Sequence, residues 1–274
     1  MAAVSTRTSI EVLRFPVESS RARHVLDAIV QALGGNPACR SIRTHVFRGG
    51  AQWLVLWGAG APDRRDPIEQ QLSAGGHVLA CDLGYWDRDR SFRVSIDAPH
   101  PQAWVLRKDW PVTRWRAAGL AVEQAWVPAG PVLIAGIGAK ARTQYGSRVA
   151  EWEAACIRAA RALGREVWYR PKKDGPVPSG VKAAPPGPIE AVLRRVSLVC
   201  TWHSNVGVDA IRMGIPVVCQ DGAAAAVCPS DLCADPPAPL SPSVRDRFLA
   251  NLAWFQWRPK ESAQLLAWLP TVLA

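Results

Sequence analysis

The stretch from residue 197 to residue 219 constrains the fold of this chain more than any other. An apolar run, Ser197-Leu-Val-Cys-Thr-Trp202, predicts a buried strand, and His203-Ser-Asn205 supplies polar side chains suited to the start of a helix. A short helix follows, Gly214 ends it, and Pro216-Val-Val-Cys219 begins the next strand. This order places the N–H groups of a helix start at the edge of a parallel sheet. A phosphate is favoured there by unpaired donors and by the helix dipole.

Strands and helices alternate twice along the chain, whose 274 residues leave room for two small domains. The first series begins with a strand at residues 10–15 and includes Gln52-Trp-Leu-Val-Leu-Trp57; the second begins with Val132-Leu-Ile-Ala135. This alternation predicts an α/β fold of two facing Rossmann-like lobes, with parallel sheets and a central cleft that holds the ligand. We expect the lobes to comprise residues 1–122 and residues 123–274.

The composition is that of a folded protein with an unusual excess of positive charge. Apolar residues make up 49% of the chain, and the formal net charge is +10. That excess favours a polyanionic partner such as nucleic acid, an anionic membrane face or a phosphorylated substrate, whereas the alternative is an enzyme that is merely basic. The seven cysteines form no zinc-binding set, and the sequence contains neither a signal peptide nor a run of about 18 apolar residues. These features predict a cytoplasmic protein without a transmembrane segment, a bound metal or a cofactor.

Positive side chains follow two predicted strands of the C-terminal lobe, whose ends share one rim with the helix start described above. Lys140 and Arg142 follow the turn Gly136-Ile-Gly138, and Arg170 and Lys172 follow the next strand. Together they can neutralise a departing diphosphate, although a plain helix cap and a solvated loop are the alternatives. The predicted site for a nucleotide-sugar donor comprises Gly138, Lys140, Arg142, Arg170, Lys172, His203, Ser204, Asn205 and Asp209.

Candidate acid–base residues lie in the N-terminal lobe. Asp82 ends a predicted strand, where a carboxylate that faces a cleft can act as a general base. His100 and Asp97 are alternatives, and each of the three can equally be a structural polar residue. We predict Asp82 and His100 as the catalytic residues. Asp87 and Asp89 have the spacing of a metal site, but the arginine between them indicates a solvated charged loop.

Tryptophan and basic residues interleave between residues 104 and 116. Positive charge with aromatic side chains suits a nucleic-acid backbone and a base that stacks on a ring. The alternative is a packed segment between domains with basic residues at its rim. The predicted DNA contacts are Trp104, Arg107, Lys108, Trp110, Arg114 and Arg116.

One segment resembles a known enzyme family. Asp209-Ala-Ile-Arg-Met-Gly-Ile-Pro-Val-Val218 is similar to the Glu-Ala-x-x-x-Gly-x-Pro-Val-Val segment in the second domain of GT-B glycosyltransferases. The resemblance implies that Asp209 contacts the donor ribose and that Ser204 and Asn205 hold the donor phosphates. It also implies an acceptor in the N-terminal lobe and a donor, uridine-diphosphate-linked, in the C-terminal lobe. The paired glutamates of that family are incomplete, because Thr201 occupies the first position.

Several short segments also resemble glycosyltransferase-like proteins of bacteriophages and prophages. They are Asp82-Leu-Gly-Tyr-Trp-Asp-Arg88, Tyr169-Arg-Pro-Lys172, Trp202-His-Ser-Asn205 and Leu252-Ala-Trp-Phe-Gln-Trp257. This resemblance implies a metal-independent enzyme that transfers a sugar from a nucleotide donor to a hydroxymethylated pyrimidine in DNA, in the cytoplasm of the host cell. Two alternatives remain: a related enzyme that acts on a lipid-linked or surface glycan, and a non-enzymatic relative that binds nucleic acid.

Overall fold

A computed structural model describes residues 9–15, 18–34, 39–42, 47, 49–173, 175–233 and 235–274; for residues 39–42 and Lys140 the description covers the backbone alone. The chain divides into two compact units, one of residues 1–99 with 255–274 and one of residues 100–254. The sequence placed the boundary at residue 122 and assigned the last residues to the second lobe. In the structure these last residues pack with the first sheet, because their strand pairs there.

Strands and helices alternate through most of the chain. The strands are β1 (Ile10–Leu13), β2 (Cys39–Ile42), β3 (Trp53–Trp57), β4 (His77–Leu83), β5 (Phe92–Ile96), β6 (Val132–Ala135), β7 (Val167–Arg170), β8 (Lys182–Ala183), β9 (Leu198–Thr201), β10 (Val217–Cys219) and β11 (Gln256–Trp257). The α-helices are α1 (Ser20–Ala32), α2 (Arg65–Ser73), α3 (Gln102–Val105), α4 (Thr113–Ala118), α5 (Ala139–Tyr145), α6 (Ser147–Ala162), α7 (Ile189–Leu193), α8 (Val206–Arg212), α9 (Pro242–Leu252) and α10 (Ser262–Leu273). Within the described ranges, none of these helices combines the length and the apolar character needed to cross a bilayer.

The first unit contains a mixed sheet with the strand order β11-β5-β4-β3-β1-β2. Strands β1 to β4 pair in parallel, as the sequence predicted, but β5 pairs antiparallel to β4 and β11 antiparallel to β5. The reason is the connection between β4 and β5, which spans residues 84–91 and has no crossover helix. Strand β2 was not anticipated from the sequence.

The second unit contains a fully parallel sheet with the order β10-β9-β6-β7-β8. The chain moves outward from β6 through β7 to β8 and then returns to the other side of β6 with β9. This is the doubly wound, Rossmann-like arrangement, and it confirms the predicted α/β class. The order of the strands reverses between β6 and β9, which is where open α/β sheets bind ligands.

The core of the second unit lies between this sheet and α6. Buried residues of α6 recur at helical spacing: Val149, Trp152, Glu153, Cys156, Ile157 and Ala160. All four residues of β6 and all four of β9 are buried, as expected for parallel strands that are covered on both faces. The single charged member of the α6 face, Glu153, therefore requires partners inside the core.

In the first unit, the side chain of Gln256 fastens the connection between β4 and β5. Its Oε1 accepts hydrogen bonds from the backbone N–H groups of Tyr85 at 2.6 Å and Trp86 at 3.1 Å. Its Nε2 donates to the Trp86 carbonyl at 3.0 Å. The side-chain amide therefore both accepts from and donates to the backbone of this loop, as a paired backbone segment does. Arg258 adds an ion pair with Asp87 at 3.1 Å.

We expect Gln256→Ala to lower the free energy of unfolding by about 1–3 kcal/mol, because buried backbone donors are left without their acceptor. Gln264→Ala removes the same side chain from an exposed position of α10 and serves as the matched control. Urea denaturation followed by tryptophan fluorescence measures both variants. Equal stability of the two variants would contradict the role assigned to Gln256.

Candidate functional site

The candidate site lies at the carboxyl edge of the second sheet. Because all five strands are parallel, the loops that follow β6, β7, β9 and β10 emerge at this one edge. The loop of residues 136–138 connects β6 to α5, and residues 202–205 connect β9 to α8. These two loops flank the point where the strand order reverses.

Two glycines let neighbouring side chains approach the first of these loops. A Cβ atom on Gly136 would lie 2.6 Å from the Tyr169 hydroxyl, and one on Gly138 would lie 3.0 Å from Cδ of Lys172. The aliphatic part of Lys172 therefore lies across Gly138, while the residue as a whole remains exposed. This approach brings two predicted donor-binding residues together.

The buried carboxylate of Glu153 supports the same loop from inside the core. Its Oε1 accepts hydrogen bonds from the Ile137 N–H at 3.0 Å and from the Tyr169 hydroxyl at 2.9 Å, and its Oε2 pairs with Arg142. Burial, together with the charge of Glu153, raises the pKa of Tyr169 to about 12, so this hydroxyl remains a donor. Sequence reasoning did not identify Glu153, because its spacing on α6 is that of a core position.

The four predicted cations differ in what they contact. Arg142 is engaged by Glu153 and by the Ile137 carbonyl at 3.3 Å, which makes it a support for the loop. Arg170 donates to the Gly187 carbonyl at 2.8 Å, and Lys172 is exposed beside Gly138. The side chain of Lys140 lies outside the described part of the chain; its backbone is in the first turn of α5.

The start of α8 differs in detail from the predicted cap. Asn205 occupies the N-cap position but its side chain makes no capping bond, whereas Ser204 Oγ accepts from the Val206 N–H at 3.4 Å. The Gly207 N–H donates to the Ser204 carbonyl at 3.1 Å. Ser204 thus accepts hydrogen bonds from the Val206 and Gly207 N–H groups, which belong to the helix start that the sequence predicted as a phosphate site. Asp209, expected to contact a ribose, is 8% exposed.

Asp221, just beyond β10, joins three separate segments at the same edge. Its Oδ1 accepts from Gln102 Nε2 at 2.9 Å, and its Oδ2 accepts from the Tyr145 hydroxyl at 2.9 Å. Its N–H donates to the carbonyl of Trp202, the residue that follows β9. The half-buried Asp221 carboxylate therefore links the start of α3 to the end of α5.

Aromatic rings pack beside Asp221. The Tyr145 ring centroid is 5.4 Å from that of Trp202 and 6.3 Å from that of His203, and His203 is 5.5 Å from His100. Burial and the adjacent Asp221 carboxylate both raise the pKa of Tyr145 above its ordinary value, which keeps the hydroxyl protonated. The structure thus brings His100, a predicted catalytic residue, together with His203, a predicted donor-binding residue.

The other predicted catalytic residue, Asp82, lies in the first unit. Its Oδ1 accepts from the Leu83 N–H at 2.7 Å, and its Oδ2 pairs with Arg93 at 3.1 Å. The rival Asp97 accepts from the Val78 N–H at 2.8 Å and pairs with His77 at 2.9 Å. Both carboxylates are therefore engaged in local structure.

The charged loop of residues 87–90 follows the interpretation made from the sequence. Asp87 and Asp89 are exposed, and Asp87 pairs with Arg258. The guanidinium of Arg21 donates to the carbonyl oxygens of Arg88 and Asp89. The segment is therefore a charged surface loop that Arg258 and Arg21 hold in place.

The segment of residues 104–116 combines packed rings with exposed cations. Trp110 is buried, stacks on Trp254 with centroids 5.1 Å apart, and donates its backbone N–H to Asn251 Oδ1 at 3.0 Å. Arg114 donates to the Ala253 carbonyl at 3.1 Å. The predicted DNA-binding residues that are exposed are Arg107, Lys108 and Arg116; Trp104 is half-buried, with the Arg107 guanidinium 4.5 Å from its ring centroid.

Sequence reasoning missed Asp221, Tyr145 and Gln102. Asp221 had a usable signal, since it is a carboxylate placed between a strand end and a glycine. A Cβ atom on that glycine, Gly222, would lie 3.0 Å from His203 Cα, and Gly222 has a φ of +132°. Tyr145 and Gln102 carried no comparable signal, because only the folded chain brings them to Asp221.

No family model matches this chain, and no curated protein matches it. Two solved structures of KpsC from Thermosulfurimonas dismutans are similar to it. The beta Kdo 2,4 transferase has a TM-score of 0.52 and 11% identity, covering 89% of this chain and 90% of that one. The beta Kdo 2,7 transferase has the same TM-score and identity, covering 96% of this chain and 100% of that one. The chain therefore shares an α/β fold with these two structures, which is the fold class that the sequence predicted.

We expect Glu153→Gln to destabilise the protein by about 1–3 kcal/mol, because a neutral amide cannot satisfy Tyr169, Ile137 and Arg142 together. Glu151→Gln, at an exposed position of α6, removes the same charge from a site without these partners. Chemical denaturation compares the two. A Glu153→Gln protein as stable as Glu151→Gln would refute the support role of this carboxylate.

Proposed function

We propose that this chain is a glycosyltransferase and that its second unit binds a nucleotide-sugar donor at the carboxyl edge of the sheet. The observation that carries the proposal is the reversal of strand order between β6 and β9. At this point the loop of residues 136–138, against which Lys172 packs, leads into α5. The last residue of α5, Tyr145, contacts both His203 and Asp221. This arrangement offers both positive charge and hydrogen-bonding groups to one ligand.

The donor phosphates are assigned to the β6–α5 loop. Gly136 and Gly138 allow close approach, and the exposed ammonium of Lys172 offsets negative charge on the leaving diphosphate. Lys140, in the first turn of α5, is assigned the same role. Arg142 holds the loop in shape for this purpose. Because these cations supply the charge, the proposed reaction uses no metal, and the donor is a co-substrate linked to uridine diphosphate.

The acceptor is assigned to a hydroxymethylated pyrimidine in DNA. Exposed Arg107, Lys108 and Arg116 suit a phosphate backbone, whereas Trp110 is buried against Trp254 and is not assigned a base. The target base has to leave the duplex to reach a crevice, at a cost of a few kcal/mol. We place this reaction in the cytoplasm, where free thiols persist; the described cysteines that are free are Cys81, Cys156, Cys200, Cys219, Cys228 and Cys233.

A glycan acceptor is the second candidate. The two structures that share this fold at a TM-score of 0.52 carry the names of Kdo transferases. On this alternative, the exposed cations of residues 107–116 face an acidic glycan or an anionic lipid surface instead of DNA.

Lys172→Ala is expected to weaken nucleotide-sugar binding roughly tenfold, because one cation no longer faces the diphosphate. Arg158→Ala, at an exposed position of α6, removes one charge from the same unit as the control. Calorimetric titration with UDP-glucose, UDP-N-acetylglucosamine and GDP-mannose measures binding. A folded wild-type protein that binds none of the three would argue against the proposed function.

Replacing Arg107, Lys108 and Arg116 together by Ala is expected to make duplex binding less dependent on salt, because fewer phosphates are neutralised. The slope of log affinity against log salt should fall by about 0.9 for each phosphate that the variant no longer binds. Fluorescence anisotropy with hydroxymethylcytosine-containing DNA measures the slope. If the wild-type protein binds anionic vesicles but not this DNA, the glycan acceptor is favoured instead.

A further inference from the structure

We infer that Asp221 is the general base of the sugar transfer, a role that rests on the proposed function. Asp221 follows β10 at the same sheet edge as the β6–α5 loop and is half-buried, and the residue after it, Gly222, packs against the backbone of His203. Asp221 therefore shares an edge of the sheet with the proposed site of the donor phosphates, and it is partly exposed.

The hydrogen bonds of Asp221 leave its carboxylate able to accept a proton. Each oxygen receives one neutral donor, Gln102 Nε2 or the Tyr145 hydroxyl, at 2.9 Å. A carboxylate has about four lone-pair sites, so each oxygen can accept a further hydrogen bond from a substrate hydroxyl. The two neutral partners fix the orientation of the carboxylate, and they are positioning residues.

Other carboxylates of the chain are engaged differently. At this edge, Glu153 is 4% exposed and pairs with Arg142, and Asp209 is 8% exposed in the first turn of α8. In the first unit, Asp82 forms an ion pair with Arg93 at 3.1 Å. Asp221, by contrast, is partly exposed, and the side chains that donate hydrogen bonds to it, Gln102 and Tyr145, are neutral.

Atoms and electrons balance in the proposed step. The acceptor oxygen bonds to the anomeric carbon of the donor sugar, and the bond between that carbon and the phosphate oxygen breaks. The electron pair of the broken bond leaves with the nucleoside diphosphate. The acceptor proton passes to a carboxylate oxygen of Asp221, which later releases it to water. When no acceptor is present, a water molecule takes its place and the products are free sugar and nucleoside diphosphate.

Tyr145 provides a second observation that favours this assignment. It remains protonated beside Asp221, because burial and the neighbouring carboxylate disfavour the phenolate, whereas the nearby positive charge of Arg148 acts in the opposite direction. A protonated tyrosine keeps donating to Oδ2 and cannot compete with Asp221 for the substrate proton.

Donor hydrolysis in water tests the inference without knowledge of the acceptor. The full chain is incubated with UDP-glucose, UDP-N-acetylglucosamine or GDP-mannose, and the release of nucleoside diphosphate is measured beside calorimetric binding. Asp221→Asn is expected to lose at least about 100-fold in hydrolysis while it binds the donor as the wild type does. Asp246→Asn, at an exposed position of α9, is the control that retains the wild-type rate.

Tyr145→Phe and Gln102→Ala distinguish a catalytic role from a structural one. Each removes one hydrogen bond to Asp221 but keeps the carboxylate, so each is expected to lose about tenfold or less. If all three variants lose the same activity, or if Asp221→Asn hydrolyses the donor like the wild type, the inference fails while the proposed function survives. If the folded wild-type chain neither binds nor hydrolyses any of the three donors, both fail.

Discussion

The parallel pairing of the second sheet is the constraint on which the candidate site depends. Because the five strands are parallel, the loops that follow them lie at one edge of the sheet. Strands β7 and β8 are added on one side of β6, and β9 and β10 on the other. Residues as distant in sequence as Gly138, Lys172, His203 and Asp221 consequently share that edge. Nothing in their local sequences requires the convergence; it follows from the strand order alone.

Several arginines in the described part of the chain hold loops in place by donating to backbone carbonyl oxygens. Arg21 donates to the carbonyl oxygens of Arg88, Asp89 and Ser91, Arg170 donates to Gly187, and Arg212 donates to Ala121. A guanidinium has five N–H donors in a fixed fork, which suits it to collecting backbone acceptors that no strand or helix pairs. Part of the net charge of +10 therefore reflects internal structure, and the charge available to an anionic ligand is smaller than the sequence implies.

The elements that could be predicted from the sequence are those with a clear local pattern. The strand, helix, glycine and proline of residues 197–219 form β9, α8 and β10 as expected, and the apolar spacing of α6 gives its buried face. Strands β2 and β11 and the antiparallel direction of β5, a segment predicted as a strand, depend on pairing partners that local periodicity does not identify. The candidate site divides in the same way: the glycine loop and His203 lie within motifs, whereas Asp221 acquires its partners Gln102 and Tyr145 only when three segments fold together.

The packing of the tryptophans limits what the basic segment can recognise. Trp110 uses both its ring and its backbone N–H within the fold, and the half-buried Trp104 lies beneath the guanidinium of Arg107. The surface offered by residues 104–116 is therefore cationic more than aromatic. Exposed cations of this kind can contact phosphates, and such contacts do not distinguish one nucleotide sequence from another. Under the proposed function, selection of the acceptor group is therefore assigned to the cluster in which the Tyr145 hydroxyl donates to Asp221 and the Tyr145 and His100 rings pack against His203.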